Sequence, residues 1–292
     1  MNHEAVLENT TVAGGAAARV DTKRMQIWER TYDIAGDKGY LAAKGDCFEP
    51  DTTATLRALS REHGAVALDV GANIGLTALA LSQYCSKVIA VEPIPVTFDY
   101  LSKNIAAREN VTSFNFALGS EEGTIKMQGS ENFLAGAFVA DAYTVNDGHH
   151  FTKEIPVRRL DDVARDIGIN SLDLVKIDVE GFELEVLGGG RALLGDLKPI
   201  AYMEMNHWCL NMFRRLSIPE FRERILDVFP YLFAIDGPDY VDFTAPNAIH
   251  AICHAHILKN RFNNLVAGFD RHELVARLEL RKKLVDERNA TH

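Results

Sequence analysis

Four short apolar runs recur along the chain, and each of the first three is followed by a segment with helical spacing of apolar residues. The runs cover residues 66–70, 87–91, 172–179 and 199–205. Apolar runs of this length are typical of parallel strands that are covered on both faces. Strands that alternate with helices predict an α/β fold, with an open, mostly parallel sheet and helices on both faces. Ligands of such sheets bind at the carboxyl ends of the strands, and candidate chemistry is expected there.

The alternating region forms the centre of a larger predicted domain, residues 25–270. Residues 1–24 lack hydrophobic periodicity and predict a flexible tail. Residues 25–63 carry enough apolar side chains to cap the core, with a helix over about 51–63 that Asp51 would cap. Residues 271–292 have mixed charges around spaced leucines, which predicts an amphipathic surface helix and a tail.

One further segment of the predicted domain bears on the site, and several short strands complete the fold. Residues 128–153 are polar and irregular, and a loop of this length inside a domain predicts a lid over a functional site. A strand over about 111–118 and a short one at 123–127 precede it. Strands near 231–236 and 248–257 are expected to complete the sheet.

The charge balance narrows the classes of partner. The chain has 31 Lys and Arg against 41 Asp and Glu, a net charge of −10, and no long basic run. This balance argues against a general binder of nucleic acid or of anionic membranes. We find no apolar run near the ~18 residues of a transmembrane segment and no secretory signal pattern. The four widely spaced cysteines show no CxxC motif, which favours a reducing cytoplasm.

The end of the first predicted strand carries a small-residue loop, DVGANIG (69–75). Glycine permits the sharp turn there, and small side chains let a ligand approach the backbone. A carboxylate beside the loop would repel a diphosphate but attract a cation such as an amino group or a sulfonium. The residues predicted to cradle a nucleoside-type ligand are Asp69, Gly71, Ala72, Asn73 and Gly75.

Glu92 ends the second predicted strand, 23 residues after Asp69. A carboxylate at this place can accept hydrogen bonds from both hydroxyls of a ribose. A nicotinamide-dependent oxidoreductase would use it in the same way and is therefore an alternative. The absence of GxGxxG and the presence of Asp69 at the strand end count against that alternative.

Several segments together resemble the FkbM family of class I S-adenosylmethionine-dependent methyltransferases, and KIDVEGFELEVL is the most specific part. They are GDCFEPDTT (45–53), LDVGANIGLTAL (68–79), VEPIPVTFDYLSKNI (91–105), FALGSEEG (116–123), LVKIDVEGFELEVLGGG (174–190) and MEMN (203–206). The resemblance implies a Rossmann-like, seven-stranded methyltransferase sheet whose last strand is antiparallel. It also implies methyl transfer to oxygen, often on a sugar or a polyketide hydroxyl.

The resemblance assigns expected roles to the donor residues. The 69–75 loop would hold the methionine part of S-adenosylmethionine, and Glu92 would bind its ribose. Ala117 and Leu118, at the third strand end, would lie beside the adenine. The acceptor is expected to be a hydroxylated small molecule or a glycan that enters under residues 128–153. A non-catalytic protein that only binds S-adenosylmethionine is the second alternative.

Acidic residues at the fourth and fifth strand ends are the candidates for chemistry. A hydroxyl acceptor must lose its proton, and Asp178, Glu180 and His207 are the candidate bases. In an alternative role, Asp178, Glu204 and Asn206 offer three oxygen ligands suited to Mg²⁺ or Ca²⁺. A zinc site at His250, His254 and His256, with the last two on one strand face, is the less favoured interpretation of those histidines.

Overall fold

The structure, a computed structural model, describes residues 21–61, 64–130, 133–140, 143–145 and 148–289. The strands are β1 (Thr22–Ile27), β2 (Arg30–Ala35), β3 (Val66–Val70), β4 (Lys87–Val91), β5 (Val111–Phe114), β6 (Ala117–Leu118), β7 (Gly123–Ser130), β8 (Phe133–Val139), β9 (His150–Arg158), β10 (Leu174–Ile177), β11 (Ile200–Glu204), β12 (Tyr231–Asp236), β13 (Asp239–Asp242) and β14 (Asn264–Gly268).

The helices connect these strands and cover the sheet. They are α1 (Lys38–Ala43), α2 (Pro50–Leu59), α3 (Leu76–Leu81), α4 (Pro95–Ile105), α5 (Leu160–Val163), α6 (Glu183–Gly189), α7 (Arg191–Leu197), α8 (His207–Arg214), α9 (Ile218–Leu226), α10 (Ile249–Lys259) and α11 (Arg271–Asn289).

The central sheet has the order β13-β12-β14-β11-β10-β3-β4-β5. Strands β5, β4, β3, β10 and β11 are parallel to one another, whereas β14 is antiparallel to both of its neighbours. The predicted α/β class, the parallel core and the antiparallel last strand are confirmed. The described sheet holds eight strands rather than seven, because β13 folds back on β12 as a hairpin and adds an edge strand.

Side chains of the central strands alternate between two hydrophobic clusters. Leu68, Val70 and Ile177 belong to one cluster, and Ala67 and Leu174 to the other. Each strand is therefore buried on both faces, which explains why its sequence is apolar without alternation. Asp69, Lys176 and Glu204 lie in the carboxyl-terminal halves of β3, β10 and β11.

The segment predicted as an irregular lid is mostly β-structure. Strands β6, β9, β7 and β8 form a second, four-stranded sheet in that order. The predicted strand over 111–118 is divided, since β5 pairs in the central sheet and β6 pairs with β9. Gln128 and Met127 are buried in β7. The composition of 128–153 gave no sign of this, because its strands depend on pairing with residues distant in sequence.

The final strand lies later in the chain than predicted. Residues 249–259 form α10, and the strand is β14. Ile252 and His256 are buried one helical turn apart, whereas Ile257 and Leu258 are exposed, as an apolar helix on the surface allows. Asn260 in the left-handed conformation ends the helix. An apolar run of this length does not separate helix from strand by itself.

The N-terminal segment and the C-terminal helix pack against each other over one face of the sheet. The β1–β2 hairpin begins at Thr22, inside the segment predicted as a tail, and residues 1–20 lie outside the described residues. Asp51 lies in the first turn of α2 and is not its cap. Leu274, Leu278 and Val285 of α11 are buried, so this helix is part of the core.

None of the helices in the described part of the chain has both the length and the apolar character needed to cross a bilayer.

Candidate active site

The loop after β3 is built around two glycines with positive φ. Gly71 (φ +75°) approaches the end of β10 so closely that a Cβ atom would lie 1.9 Å from the Asp178 carbonyl oxygen. Its N–H donates to the Val91 carbonyl oxygen at 3.0 Å. Gly75 (φ +94°) faces Leu101 of α4, and α3 begins at the next residue. Only glycine fits these two places without strain or displacement.

Glu92 holds the same loop from the end of β4. One carboxylate oxygen accepts from the Asn73 backbone N–H at 2.9 Å, and the other accepts from the Ile94 N–H at 2.9 Å. Burial raises the pKa of Glu92 to about 7, although these two hydrogen bonds oppose the rise. Each oxygen keeps a second lone pair, so the carboxylate can still accept from ribose hydroxyls.

A row of polar side chains crosses the sheet beside the loop. The register places Lys176 of β10 between Asp69 of β3 and Tyr202 of β11. The Lys176 ammonium lies 3.4 Å from Asp69, 3.3 Å from Asp178 and 2.9 Å from the Gly71 carbonyl oxygen. Burial lowers the pKa of Lys176, but the charges of Asp178 and Asp69 outweigh it and raise that pKa above its usual value. Lys176 therefore links the loop to the acids.

These strand ends open into a cavity of about 490 Å³. One part, which we name the donor end, is bounded by the 71–73 loop, Glu92 and the second sheet. Ala117 and Leu118 line it, and they belong to β6 rather than to the third strand of the central sheet. Its other apolar lining includes Ile94, Phe116, Ile125, Met127 and Val139. Asp69 lies just behind the wall, where it is buried and accepts from the Thr77 hydroxyl.

Three carboxylates meet at the middle of the cavity. Asp178, Glu180 and Glu204 each place one oxygen within 4.8 Å of the other two. Burial, followed by the charge of Asp178, raises the pKa of Glu180 to about 7. Burial and the charges of Asp178 and Glu180 raise the pKa of Glu204 to about 10. The cluster therefore retains a proton to a higher pH than an isolated carboxyl group would.

The turn between β10 and α6 fixes the position of Glu180. Glu180 has a φ of +52°, and Gly181 follows with +92°. The buried Glu183 carboxylate accepts from the backbone N–H groups of Val179 and Gly181, both at 3.2 Å. The Cys209 thiol donates to Glu180 at 3.1 Å. Glu183 thus binds the turn, whereas Asp178 and Glu180 line the cavity.

Two other predicted site residues have structural contacts instead. His207 does not line the cavity; its backbone N–H donates to the His256 ring at 3.3 Å, and the two rings pack edge to face. The Asn206 side chain caps α8 by accepting from the N–H groups of Trp208 and Cys209. The acidic cluster therefore contains Glu180 where the sequence predicted Asn206 as a metal ligand.

The zinc interpretation of the three histidines is not supported by the fold. His250, His254 and His256 lie on α10 and not on a strand, so the last two point to different helix faces. Within the described residues, Asp178, Glu180 and Glu204 are the group of potential metal ligands that the structure brings together.

The far part of the cavity, which we name the cap end, was missed from the sequence. Its lining comes from α1, α2 and the segment between them, together with Asn263 and the first residue of β14. The lining residues are Tyr40, Lys44, Phe48, Glu49, Thr52, Asn263 and Asn264. The segment GDCFEPDTT contains three of them, but its sequence carries no sign that it folds over the strand ends.

Comparison with known proteins gives one family match and several relatives. The methyltransferase FkbM domain profile matches residues 69–228, more than half of the chain. Methyltransferase sdnD from Sordaria araneosa is 31% identical over 152 residues, which are 42% of this chain and 59% of that protein. Hexuronic acid methyltransferase AglP from Haloferax volcanii is 34% identical over 177 residues, 60% of this chain and 65% of that protein.

A further relative is 2-O-methyltransferase NoeI from Sinorhizobium fredii, which is 28% identical over 142 residues, 44% of this chain and 58% of that protein. The matched part of this chain spans about three fifths of the length of these curated relatives. The profile match includes the donor loop, Glu92 and the three cavity carboxylates. The chain thus belongs to the FkbM methyltransferase domain family.

Proposed function

We propose that this protein transfers a methyl group from S-adenosylmethionine to a hydroxyl oxygen of a sugar, a glycan or a natural product. The proposal rests on one observation: the glycine-containing loop after β3 and the cluster of three carboxylates line the same cavity. The names of two relatives, a hexuronic acid methyltransferase and a 2-O-methyltransferase, support a hydroxylated sugar. The net charge of −10 favours such an acceptor over a nucleic acid.

The residues present fit S-adenosylmethionine as donor. Gly71 keeps the cradle open, Glu92 faces the donor end with free lone pairs, and Ala117 and Leu118 offer an apolar wall for a base. The nearby carboxylates favour a cationic ligand over a diphosphate. These features favour a sulfonium donor over NAD. When bound, the donor supplies an electrophilic methyl carbon.

We assign to the acidic cluster the removal of the proton from the acceptor hydroxyl. A hydroxyl is a weak nucleophile, and a base that takes its proton in the transition state raises the rate. Asp178 and Glu180 line the cavity, and a pKa near 7 suits Glu180 to exchange a proton at neutral pH. Glu204, whose pKa is raised by burial and by the neighbouring carboxylates, lies in the same cluster. Lys176 holds Asp178 beside the donor loop.

The same three oxygens could instead hold a divalent cation, for which carboxylates are the preferred ligands. Mg²⁺ would then polarise the acceptor hydroxyl, and the carboxylates would serve as ligands rather than as bases. The two roles differ in their response to chelation and to pH.

The test replaces Asp178 by Asn, which keeps the size and removes the charge. Methyl transfer from tritiated S-adenosylmethionine to a hydroxylated acceptor is expected to fall by about 10²–10⁴-fold. Affinity for S-adenosylhomocysteine should change far less, because the donor contacts lie elsewhere. Asp99→Asn, on the exposed face of α4, is the matched control and should keep full activity.

Chelation separates the two roles of the cluster. Activity that EDTA abolishes and Mg²⁺ restores would assign a metal to the cluster. Activity that resists EDTA and declines below about pH 7, as Glu180 becomes protonated, would assign a base. Near-full turnover by Asp178→Asn would contradict both roles.

A further inference from the structure

Large apolar side chains that face solvent are concentrated on two helices. Among the described residues, five such side chains are more than one third exposed, and four of them lie on α8 or α10. Trp208 (55% exposed) and Met212 (37%) are one turn apart on α8, and Ile257 (52%) and Leu258 (69%) lie in the last turn of α10. We name the outer faces of these two helices, with those four side chains, the α8–α10 surface. Exposed apolar residues are usually scattered singly, so this concentration indicates a contact surface.

The two helices adjoin each other beside the cavity. The backbone N–H of His207 donates to the His256 ring at 3.3 Å, and the two ring centroids are 4.9 Å apart. Helix α8 begins shortly after Glu204, and α10 ends shortly before Asn264. Glu204 and Asn264 pair across the sheet, and both line the cavity. The start of α8 and the end of α10 therefore lie at the edge of the sheet where the cavity opens.

The α8–α10 surface is basic, although the chain as a whole is acidic. Residues 205–216 and 243–263, which contain the two helices, include no Asp or Glu, whereas the whole chain has 41 of them. The exposed Arg215 follows α8, and the exposed Lys259 ends α10. Arg261 adds no free charge because it pairs with acids of β12 and β13, and α9, which packs against α10, carries two Glu and two Arg. The net charge of −10 therefore conceals a local basic region.

Helix α10 turns one continuous face outward. His250, His254, Ile257 and Leu258 are all exposed, and their spacing places them on the same side of the helix. Ile252, on the opposite side, is buried. A helix with an aliphatic and polar outer face and a cationic residue at its end can lie flat in the headgroup region of a bilayer.

We propose that the α8–α10 surface docks the protein on a membrane whose lipids carry anionic headgroups, an interaction beyond methyl transfer itself. Trp208 and the aliphatic side chains enter the boundary between headgroups and acyl chains, where Trp is enriched in membrane proteins. Arg215 and Lys259 lie beside the headgroups and attract them. The lack of acids in both segments matches a partner of uniformly negative charge, whereas a protein interface commonly pairs charges of both signs. Docking in this way holds the mouth of the cavity close to the bilayer.

Flotation of the full-length protein with lipid vesicles tests the docking. One set of vesicles contains phosphatidylcholine alone, and the other contains phosphatidylcholine and phosphatidylserine in a ratio of about two to one. We expect the protein to float with the mixed vesicles and to bind them at least about tenfold more tightly than phosphatidylcholine alone. Added salt should weaken this binding, since it screens the contacts of Arg215 and Lys259 with the headgroups.

Trp208 provides a direct probe of insertion. The chain has two tryptophans, and Trp28 is only 8% exposed and packs under the Arg288 guanidinium, so Trp208 is the one that a bilayer can reach. Mixed vesicles should shift the tryptophan emission to shorter wavelength, and lipids with brominated acyl chains should quench it. Trp208→Ser should remove both responses.

Two comparisons of variants locate the contact. The double variant Ile257→Ser/Leu258→Ser should lower vesicle binding at least about tenfold, because two aliphatic side chains no longer leave water. Val96→Ser, at a 44% exposed position of α4, is its matched control and should bind as the wild type does. Lys259→Gln should lower binding to the mixed vesicles about fivefold, whereas Lys198→Gln, just before β11 at the opposite edge of the sheet, should not. An unchanged midpoint of urea unfolding verifies that each variant is folded.

A protein that floats with neither kind of vesicle would overturn the inference. Binding that the α8–α10 variants leave unchanged would also overturn it, because the contact would then lie elsewhere, and equal binding to both kinds of vesicle would contradict the role of anionic headgroups. Self-association in sedimentation velocity that Ile257→Ser/Leu258→Ser abolishes, without vesicle binding, would assign this surface to a second copy of the chain and contradict a membrane. None of these outcomes depends on whether the protein binds S-adenosylmethionine.

Discussion

At the scale of single residues, the site depends on acids whose environments differ. Glu92 is held by two backbone N–H groups, Asp178 by Lys176, and Glu180 by a thiol, whereas Glu204 has a buried oxygen without a partner. We therefore propose that one carboxyl group binds the donor, whereas others in the cluster exchange protons. The pKa values of Glu180 and Glu204 differ because the second has more carboxylates around it.

Glu204 should make the folded protein less stable as the pH rises. Its pKa is about 10 when folded and near 4.5 when unfolded, so between these values the folded state keeps a proton that the unfolded state releases. The stabilising contribution is complete below pH 4.5 and is lost progressively as the pH rises toward 10. Glu204→Gln, which does not titrate, should reduce this loss by up to about 1.4 kcal/mol per pH unit.

Urea unfolding at pH 5.5 and pH 8.5 provides the measurement, and Glu122→Gln at an exposed turn is the control. The difference between the two pH values should be smaller for Glu204→Gln than for the wild type or the control. The same difference in all three proteins would show that Glu204 ionises normally.

At this scale the sequence indicated much of the lining at one end of the cavity and little of the lining at the cap end. The 69–75 loop and Glu92 are recognisable because they lie at consecutive strand ends with fixed spacing. Lys44, Phe48 and Asn263 reach the cavity only through tertiary packing, and nothing in their local sequence indicates it. His207 and Asn206 were predicted from position alone, and their actual contacts depend on α10 and on the start of α8.

At the scale of elements, predictions succeeded where the pattern is local. Strands β3, β4, β10 and β11 follow from continuous apolar runs. Helix α9 begins at a local signal of the same kind, since the Ser217 side chain accepts from the Glu220 N–H. The second sheet and β14 were missed or displaced because their strands are defined by partners far along the chain.

The C-terminal helix α11 should contribute to global stability. Leu278 is fully buried, and the buried Arg281 guanidinium donates to the Thr55 hydroxyl of α2 at 2.8 Å. Leu278→Ala should lower the free energy of unfolding by about 2–5 kcal/mol. Leu280→Ala, at a partly exposed position of the same helix, should cost clearly less. Urea denaturation measures both, and equal losses would indicate that α11 packs only loosely.

At the scale of the whole molecule, one cavity joins three parts of the chain. The central sheet supplies the acids, the second sheet supplies the apolar wall of the donor end, and the N-terminal segment supplies most of the cap end. Helix α11 packs along α2 and so supports the segment that forms the cap end.

The most direct measurement is a calorimetric titration of the full-length protein with S-adenosylmethionine, S-adenosylhomocysteine and NADH. The account predicts saturable binding of the first two, one molecule per chain, and no heat with NADH. Glu92→Ala should weaken both by about 2–4 kcal/mol, because two charge-assisted hydrogen bonds to the ribose are lost. Binding of NADH without binding of S-adenosylmethionine or S-adenosylhomocysteine would contradict the account.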